Sequence, residues 1–176
     1  LQVSIDHTAC LVLHDLEQNA QVVSHARACV ETYQHYGERE AELISRVNLG
    51  DGLWGIGRLQ AATEILAKCY EDARESGLPH AHDIAAICYA NVLAAAGKQD
   101  IAAKLHEEGI GLAKRIGHSW DATYGQVHAT LCRAERGESI EVNDLWELAD
   151  SAATSGYHYL ESLAVGHALL ITLASG

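Results

Sequence analysis

The sequence predicts an all-α protein, an α-α superhelix in which antiparallel helix pairs stack as a solenoid. Glycine recurs every 20 residues over most of the chain, at Gly37, Gly57, Gly77, Gly97, Gly117 and Gly137. A glycine directly after a helical run suits the left-handed conformation that ends many helices. The stretches between these glycines have helical apolar spacing, and the 176 residues include one proline. Because the stretches alternate in character, the repeat is a helix pair of 40 residues, a period typical of solenoids.

Nine helices are predicted in order, over residues 2–14, 17–36, 38–56, 58–76, 80–96, 99–116, 119–136, 139–155 and 157–175. The chain starts inside the first of them, which ends at His14–Asp15 without a glycine. The second and third end at Gly37 and Gly57, and the fifth starts just after Pro79.

The fourth and sixth helices show the amphipathic pattern most clearly. In the sixth, the apolar side is marked by Ile101, Leu105, Ile110, Leu112 and Ile116. The fourth repeats the pattern with Ala62, Ile65, Leu66, Cys69 and Tyr70. Ser119 and Ser139 are predicted to start the seventh and eighth helices, because serine is a favoured N-cap residue.

The ninth helix is apolar on more than one side. Leu160, Leu163, Leu170 and Leu173 form one row, and further apolar residues lie elsewhere around it. We expect a single domain over residues 1–176, about four and a half helix pairs, taken from a longer protein. A partner helix would then follow Gly176, so we expect possible self-association through the C-terminal helix.

Composition excludes several classes of function. The formal net charge is −12, with 12 Lys and Arg spread over the chain, so we expect no direct nucleic-acid binding and no membrane-surface binding. No apolar run reaches the length of a membrane span. The five cysteines, Cys10, Cys29, Cys69, Cys88 and Cys132, lie widely spaced in apolar helical stretches. Buried, reduced thiols of this kind predict a cytoplasmic protein.

The repeats resemble the tetratricopeptide-repeat superfamily. In "GRLQAATEILAKCYEDARESG" from Gly57 and "GKQDIAAKLHEEGIGLAKRIG" from Gly97, a small residue, Ala62 or Ala102, follows the inter-helix glycine by five positions. Gly50 and Ala90 are similar to the small residue of the family's first helix. Thr130 and Val142 take these small positions in the fourth repeat. The period exceeds the family's usual length of about 34 residues.

Such long repeats look like those that follow the ATPase core in LuxR-type, MalT-like and cyclase-linked bacterial signal-transduction ATPases. The resemblance implies a non-enzymatic module that binds a protein, a peptide or a small effector, as the sensor or scaffold region of a transcriptional regulator or signalling ATPase. One alternative is a free-standing adaptor that bridges proteins. Another is a helical enzyme with an unrecognised site, although Walker A, H-E-x-x-H and nucleophile-elbow motifs are absent from the sequence.

The family's groove positions, carried over onto this chain, predict a ligand-binding concave face. They fall on Asp51 and Trp54, on Ile87 and Asn91, and on Tyr124, Val127 and Leu131. We expect Asp51, Trp54, Asn91 and Tyr124 to contact the ligand. Ile87 replaces the lysine that peptide-carboxylate binders have beside the matching asparagine. Burial in the core is the rival interpretation for the apolar positions, and also for Trp54 and Tyr124.

Neither a cofactor nor a metal ion is expected from the sequence. Among 11 histidines, His80 and His82 form an H-x-H pair, but residues i and i+2 of a helix point apart, and only Asp83 follows nearby. A solvated helix start is the simpler interpretation. A row of acids at every third position of the eighth helix is either a solvated face or an interface for a basic partner: Glu138, Glu141, Asp144, Glu147 and Asp150.

Overall fold

The computed structural model describes residues 18–175, and these fold into eight α-helices with short connections. They are α1 (Asn19–Tyr36), α2 (Arg39–Gly55), α3 (Leu59–Glu75), α4 (Pro79–Ala95), α5 (Gln99–Ile116), α6 (Ser119–Glu135), α7 (Val142–Thr154) and α8 (His158–Ser175). Strands are absent from this part of the chain. The all-α prediction is confirmed.

The helices form two layers. Each helix packs against the next in sequence, and α2, α4, α6 and α8 also pack side by side. These four form the inner layer, and α1, α3, α5 and α7 form the outer one. This is the arrangement of a helical-repeat superhelix, in which each pair buries its apolar face against its neighbours.

The regularly spaced glycines end the helices as predicted. All of those in the 20-residue series have positive φ, from 65° at Gly77 to 81° at Gly117. At Gly97 the backbone shows the paired bonds of a Schellman-type ending, because the N–H of Gly97 bonds Ala94 O at 2.9 Å and that of Lys98 bonds Leu93 O at 2.8 Å. The chain can therefore reverse within two or three residues after each helix.

Helix α4 is the centre of the core. Most of its side chains are buried, and many of them are alanines, so neighbouring helices can approach closely. Gly50 plays the same part in α2, since a Cβ there would lie 2.6 Å from Leu66 Cγ. Ala62 and Ala102, the small residues after the inter-helix glycines, are fully buried.

Two details differ from the sequence-based prediction. Helix α7 begins at Val142 instead of Ser139, and Glu141 occupies its N-cap. Helix α6 begins at Ser119 as predicted, but His118 precedes it as the N-cap, so neither serine caps a helix. The predicted helix at 2–14 and Cys10 lie outside the described residues. None of the described helices combines the length and apolarity that crossing a membrane requires.

Candidate functional site

The four residues predicted to bind a ligand lie together. The ring of Trp54 in α2 contacts that of His128 in α6 at a centroid distance of 6.2 Å, and His128 contacts Tyr124 at 4.5 Å. Asn91 Nδ2 in α4 donates to the Tyr124 hydroxyl at 3.3 Å. Burial, followed by the nearby Asp51 carboxylate, raises the pKa of Tyr124 well above its ordinary value. The four residues are therefore close together, and whether they bind a ligand stays a prediction.

Their exposure differs from that expected of an open groove. Asn91 is 2% exposed and Tyr124 5%, while Asp51 and Trp54 are half-buried. The Trp54 ring of α2 and the His128 ring of α6 contact each other across α4. These two side chains therefore cover the inner surface where Asn91 and Tyr124 lie. Asn91 and Tyr124 therefore cannot touch a ligand in this conformation. Ile87 and Val127 are fully buried in the core, as the rival interpretation held.

A buried hydrogen-bond chain fills the space behind these rings. His106 Nε2 of α5 lies 2.8 Å from Asn91 Oδ1, so the neutral ring donates to the amide oxygen, and Asn91 donates onward to Tyr124. Burial lowers the pKa of His106 to about 4 and that of His128 to about 3. Both rings are therefore neutral at physiological pH, and this cluster works as a polar part of the core.

A second cluster lies at the other end of the inner helices. His80 and Asp83 of α4 face His118 and Asp121 at the start of α6, and their ligand-type atoms all lie within 4.8 Å of one another. Asp121 Oδ2 is 3.5 Å from both His80 Nε2 and His118 Nδ1, and Asp83 Oδ2 is 3.6 Å from His118 Nδ1. The two imidazole rings meet edge to face with centroids 4.0 Å apart.

Burial dominates the electrostatics of this second cluster. It raises the pKa of Asp83 to about 8, with the Asp121 carboxylate as a smaller cause. It also raises the pKa of Asp121 to about 6, against the lowering effect of His118. Two carboxyl groups thus share a dry site in which ionisation is unfavourable unless positive charge is supplied.

Sequence reasoning missed half of this cluster. It weighed His80 with its near neighbour His82, yet His82 Nε2 lies 2.9 Å from Glu108 Oε1, outside the cluster. The local spacing offered only Asp83 beside His80, whereas in the structure stacking brings His118 and Asp121 of α6 alongside. The signal was an H-x-x-D spacing at the start of two successive inner helices, 80–83 and 118–121.

The acidic row divides between a turn and a helix. Glu138 pairs with Arg133 and Arg136 in the turn before α7. Asp144, Glu147 and Asp150 are exposed on α7, and the first two line a groove of about 460 Å³ together with Arg133. The row is therefore solvated and partly neutralised by the protein's own arginines.

Helix α8 exposes an apolar face. Leu160, Ala164 and Ala168 are fully buried against the rest of the protein. Three leucines on the other side are largely in solvent, with Leu169 49% exposed, Leu170 63% and Leu173 78%. A helix that is apolar on both faces usually has both faces covered.

No known protein family, curated protein or solved structure matches the chain. The function therefore has to be inferred from the residues themselves.

Proposed function

We propose that this protein is a non-enzymatic helical-repeat module that binds protein, and that its contact surface is the exposed leucine face of α8: Leu169, Leu170 and Leu173. The observation that carries the proposal is the contrast between the two sides of this helix, one fully buried and the other apolar but in solvent. Exposed apolar surface of this kind favours association because covering it removes it from water.

The occupant we assign to this face is the same face of a second copy. Glu161 is the one acidic residue in α8, and lysine and arginine are missing from that helix. Two copies can therefore meet along α8 with little repulsion between like charges. Elsewhere the formal net charge of −12 per chain makes contact between copies unfavourable. A twofold contact that sets leucines against leucines is self-complementary, as the commonest dimers are.

We place the module in a regulatory setting because its repeats resemble those of bacterial signal-transduction ATPases. We also expect it to work in the cytoplasm, since the described cysteines form no disulfide and burial raises the pKa of Cys69 to about 12 and of Cys132 to about 11. Such thiols are unreactive and suit a reducing compartment. Coding sequence for a P-loop ATPase and a helix-turn-helix on the flanks would favour a regulator over a free-standing adaptor.

The test is the oligomeric state across a concentration series in low and high salt. We expect a concentration-dependent dimer that strengthens with salt, because salt screens the repulsion between two anions while apolar contact persists. Leu170→Glu should weaken the dimer by about tenfold or more, since like charges would face each other across the twofold contact.

The matched control is Ile101→Glu, which adds the same charge at an apolar residue 53% exposed on α5. We expect it to leave the dimer unchanged. A strict monomer at every concentration, or equal weakening by the two variants, would overturn the assignment of this face. Association that weakens with salt would also contradict it, because it would indicate a charged interface.

A further inference from the structure

We propose that His80, Asp83, His118 and Asp121 bind a single divalent transition-metal ion, with Zn²⁺ as the best fit, and that this ion ties α4 to α6. The four ligands come in pairs with i, i+3 spacing, one pair at the start of each of two neighbouring inner helices. Residues three apart lie on the same side of a helix, so each pair presents its side chains in one direction.

Three of the six distances between ligand atoms match the edges of a tetrahedral site, and all six are within 4.8 Å. The three measured separations between imidazole nitrogen and carboxylate oxygen are 3.5, 3.5 and 3.6 Å. They are longer than ordinary hydrogen bonds between these atoms, which measure about 2.7–3.2 Å. Zn²⁺ binds such ligands at about 2.0–2.2 Å, which sets the edges of a tetrahedron at about 3.3–3.6 Å. The side chains are thus spaced for an ion between them.

Two ligand atoms point into the site without a hydrogen bond. Asp83 is fully buried, and its Oδ2 has no hydrogen-bond partner, while Oδ1 accepts from the N–H of Ile84 at 2.6 Å. His118 Nδ1 is likewise buried without one. Buried polar atoms nearly always have a partner, because leaving a buried carboxylate oxygen bare is costly. A metal ion would supply the partner that both atoms lack.

Ordinary histidine–aspartate ion pairs explain the cluster less well. If both imidazoles were protonated, two positively charged rings would lie edge to face with their centroids 4.0 Å apart. If both were neutral, no positive charge would balance an ionised carboxylate in this buried site, where the Glu40 carboxylate of α2 is close enough to repel Asp83 as well. Among the described residues, the ion pairs of Asp83 and Asp121 involve histidine alone. A divalent cation between neutral imidazoles balances both carboxylates at once.

The donor set decides which ion is favoured. Two imidazole nitrogens with two carboxylates suit Zn²⁺ and its first-row neighbours, whereas Mg²⁺ and Ca²⁺ prefer oxygen ligands alone. Four protein ligands close a tetrahedral site, which is the pattern of structural and not catalytic zinc. The imidazoles are about one-third exposed, at 32% for His80 and 35% for His118, so an ion can enter from solvent.

The surrounding backbone holds the ligands in place. Gly109 of α5 packs so closely on α4 that a Cβ there would lie 2.9 Å from the carbonyl oxygen of Asp83. The close contact with Gly109 therefore holds the backbone of Asp83 in place, which favours a defined coordination geometry. An ion bound here would join two successive repeats at the inner layer, where their contact is side chain to side chain.

The experiment titrates the chelator-stripped chain with Zn²⁺ against a chromophoric competitor, and with Co²⁺ as a spectroscopic probe. We expect one ion per chain and the intense visible absorption of tetrahedral Co²⁺. Asp83→Asn and His118→Ala should each lower Zn²⁺ affinity by about 100-fold, since each removes one ligand. Circular dichroism would verify that each variant is folded, and Asp83→Asn keeps the shape of the buried side chain.

The control is His82→Ala, which removes a neighbouring imidazole that lies beside Glu108 and outside the cluster. It should leave the affinity and the Co²⁺ spectrum unchanged, and Zn²⁺ should raise the melting temperature of this variant as it does for the unaltered chain. The proposal fails if the unaltered chain binds no stoichiometric Zn²⁺. It fails also if His82→Ala weakens binding as much as His118→Ala, or if Co²⁺ gives only the weak octahedral spectrum.

Discussion

The Asn91 side chain of α4 joins side chains of two other helices, α5 and α6, by hydrogen bonds. Its amide oxygen accepts from His106 of α5 and its amide nitrogen donates to Tyr124 of α6. Each of the three side chains is at most 5% exposed. A fully connected polar chain in a core specifies which surfaces meet, because any other packing leaves its donors and acceptors unpaired.

Tyr124→Phe tests this hydrogen-bond chain at its last member. The change removes the hydroxyl that accepts from Asn91 Nδ2, so a buried donor loses its partner, and the free energy of unfolding should fall by about 1–3 kcal/mol. Tyr157→Phe is the control, because its hydroxyl bonds Ser119 Oγ at 2.7 Å in an exposed position. That change should cost about 0.5 kcal/mol or less. Equal losses in urea unfolding of the two variants would contradict the buried role of Tyr124.

The site residues were partly predictable from sequence. Counting from the glycines placed Asp51, Trp54, Asn91 and Tyr124 on matching faces of their helices, and they do lie together. The burial of these side chains was not predictable, because it depends on how closely α2 and α6 approach each other across α4. Whether these residues bind a ligand stays a prediction. The contact between His80 and His118 was missed because these residues are far apart in the sequence.

At the scale of the helix, the approach of α5 to α4 depends on one glycine. A Cβ at Gly109 would meet Ile87 Cγ1 at 2.7 Å and the carbonyl oxygen of Asp83 at 2.9 Å. Glycine inside a helix is otherwise unfavourable, by about 0.5–1 kcal/mol relative to alanine. Its presence here therefore reflects close packing between the two helices.

Gly109→Ala and Gly111→Ala should change stability in opposite directions. Gly109→Ala should destabilise by about 1–3 kcal/mol, because backbone on the facing helix has no room to yield. Gly111 has only Arg115 Nη1 within reach of a Cβ, at 3.5 Å, so Gly111→Ala should stabilise by about 0.5–1 kcal/mol. Thermal unfolding of the two variants measures both effects. A stabilising Gly109→Ala would show that the helices can separate there at little cost.

The helices themselves were the most predictable feature of this chain. Glycines with positive φ follow six consecutive helices, from Gly37 to Gly137. The positions that end these helices require a positive φ, which glycine adopts readily, so the sequence alone reveals them. The start of α7 was less predictable, because the ion pairs of Glu138 with Arg133 and Arg136 belong to the turn, and periodicity does not reveal them.

Across the whole molecule, burial decreases from the centre to the C-terminal end. Helix α4 has neighbours in α2, α3, α5 and α6, whereas among the described helices α8 packs mainly against α6 and α7. In a linear array each unit is stabilised mainly by its nearest neighbours, so local opening should follow this order. The metal site proposed between α4 and α6 would strengthen the array where it is already most buried.

Native-state hydrogen exchange should therefore be slowest in α4 and fastest in the second half of α8. The buried residues of α4, such as Ile87 and Leu93, are 0% and 1% exposed, whereas Leu170 and Leu173 of α8 are 63% and 78% exposed. Amides near exposed side chains open at a lower free-energy cost than those of the core. Mass spectrometry of peptic peptides at low protein concentration, where α8 is unpaired, measures the gradient. Uniform protection of α4 and α8 would contradict it, because it would mean that the array unfolds as one cooperative unit.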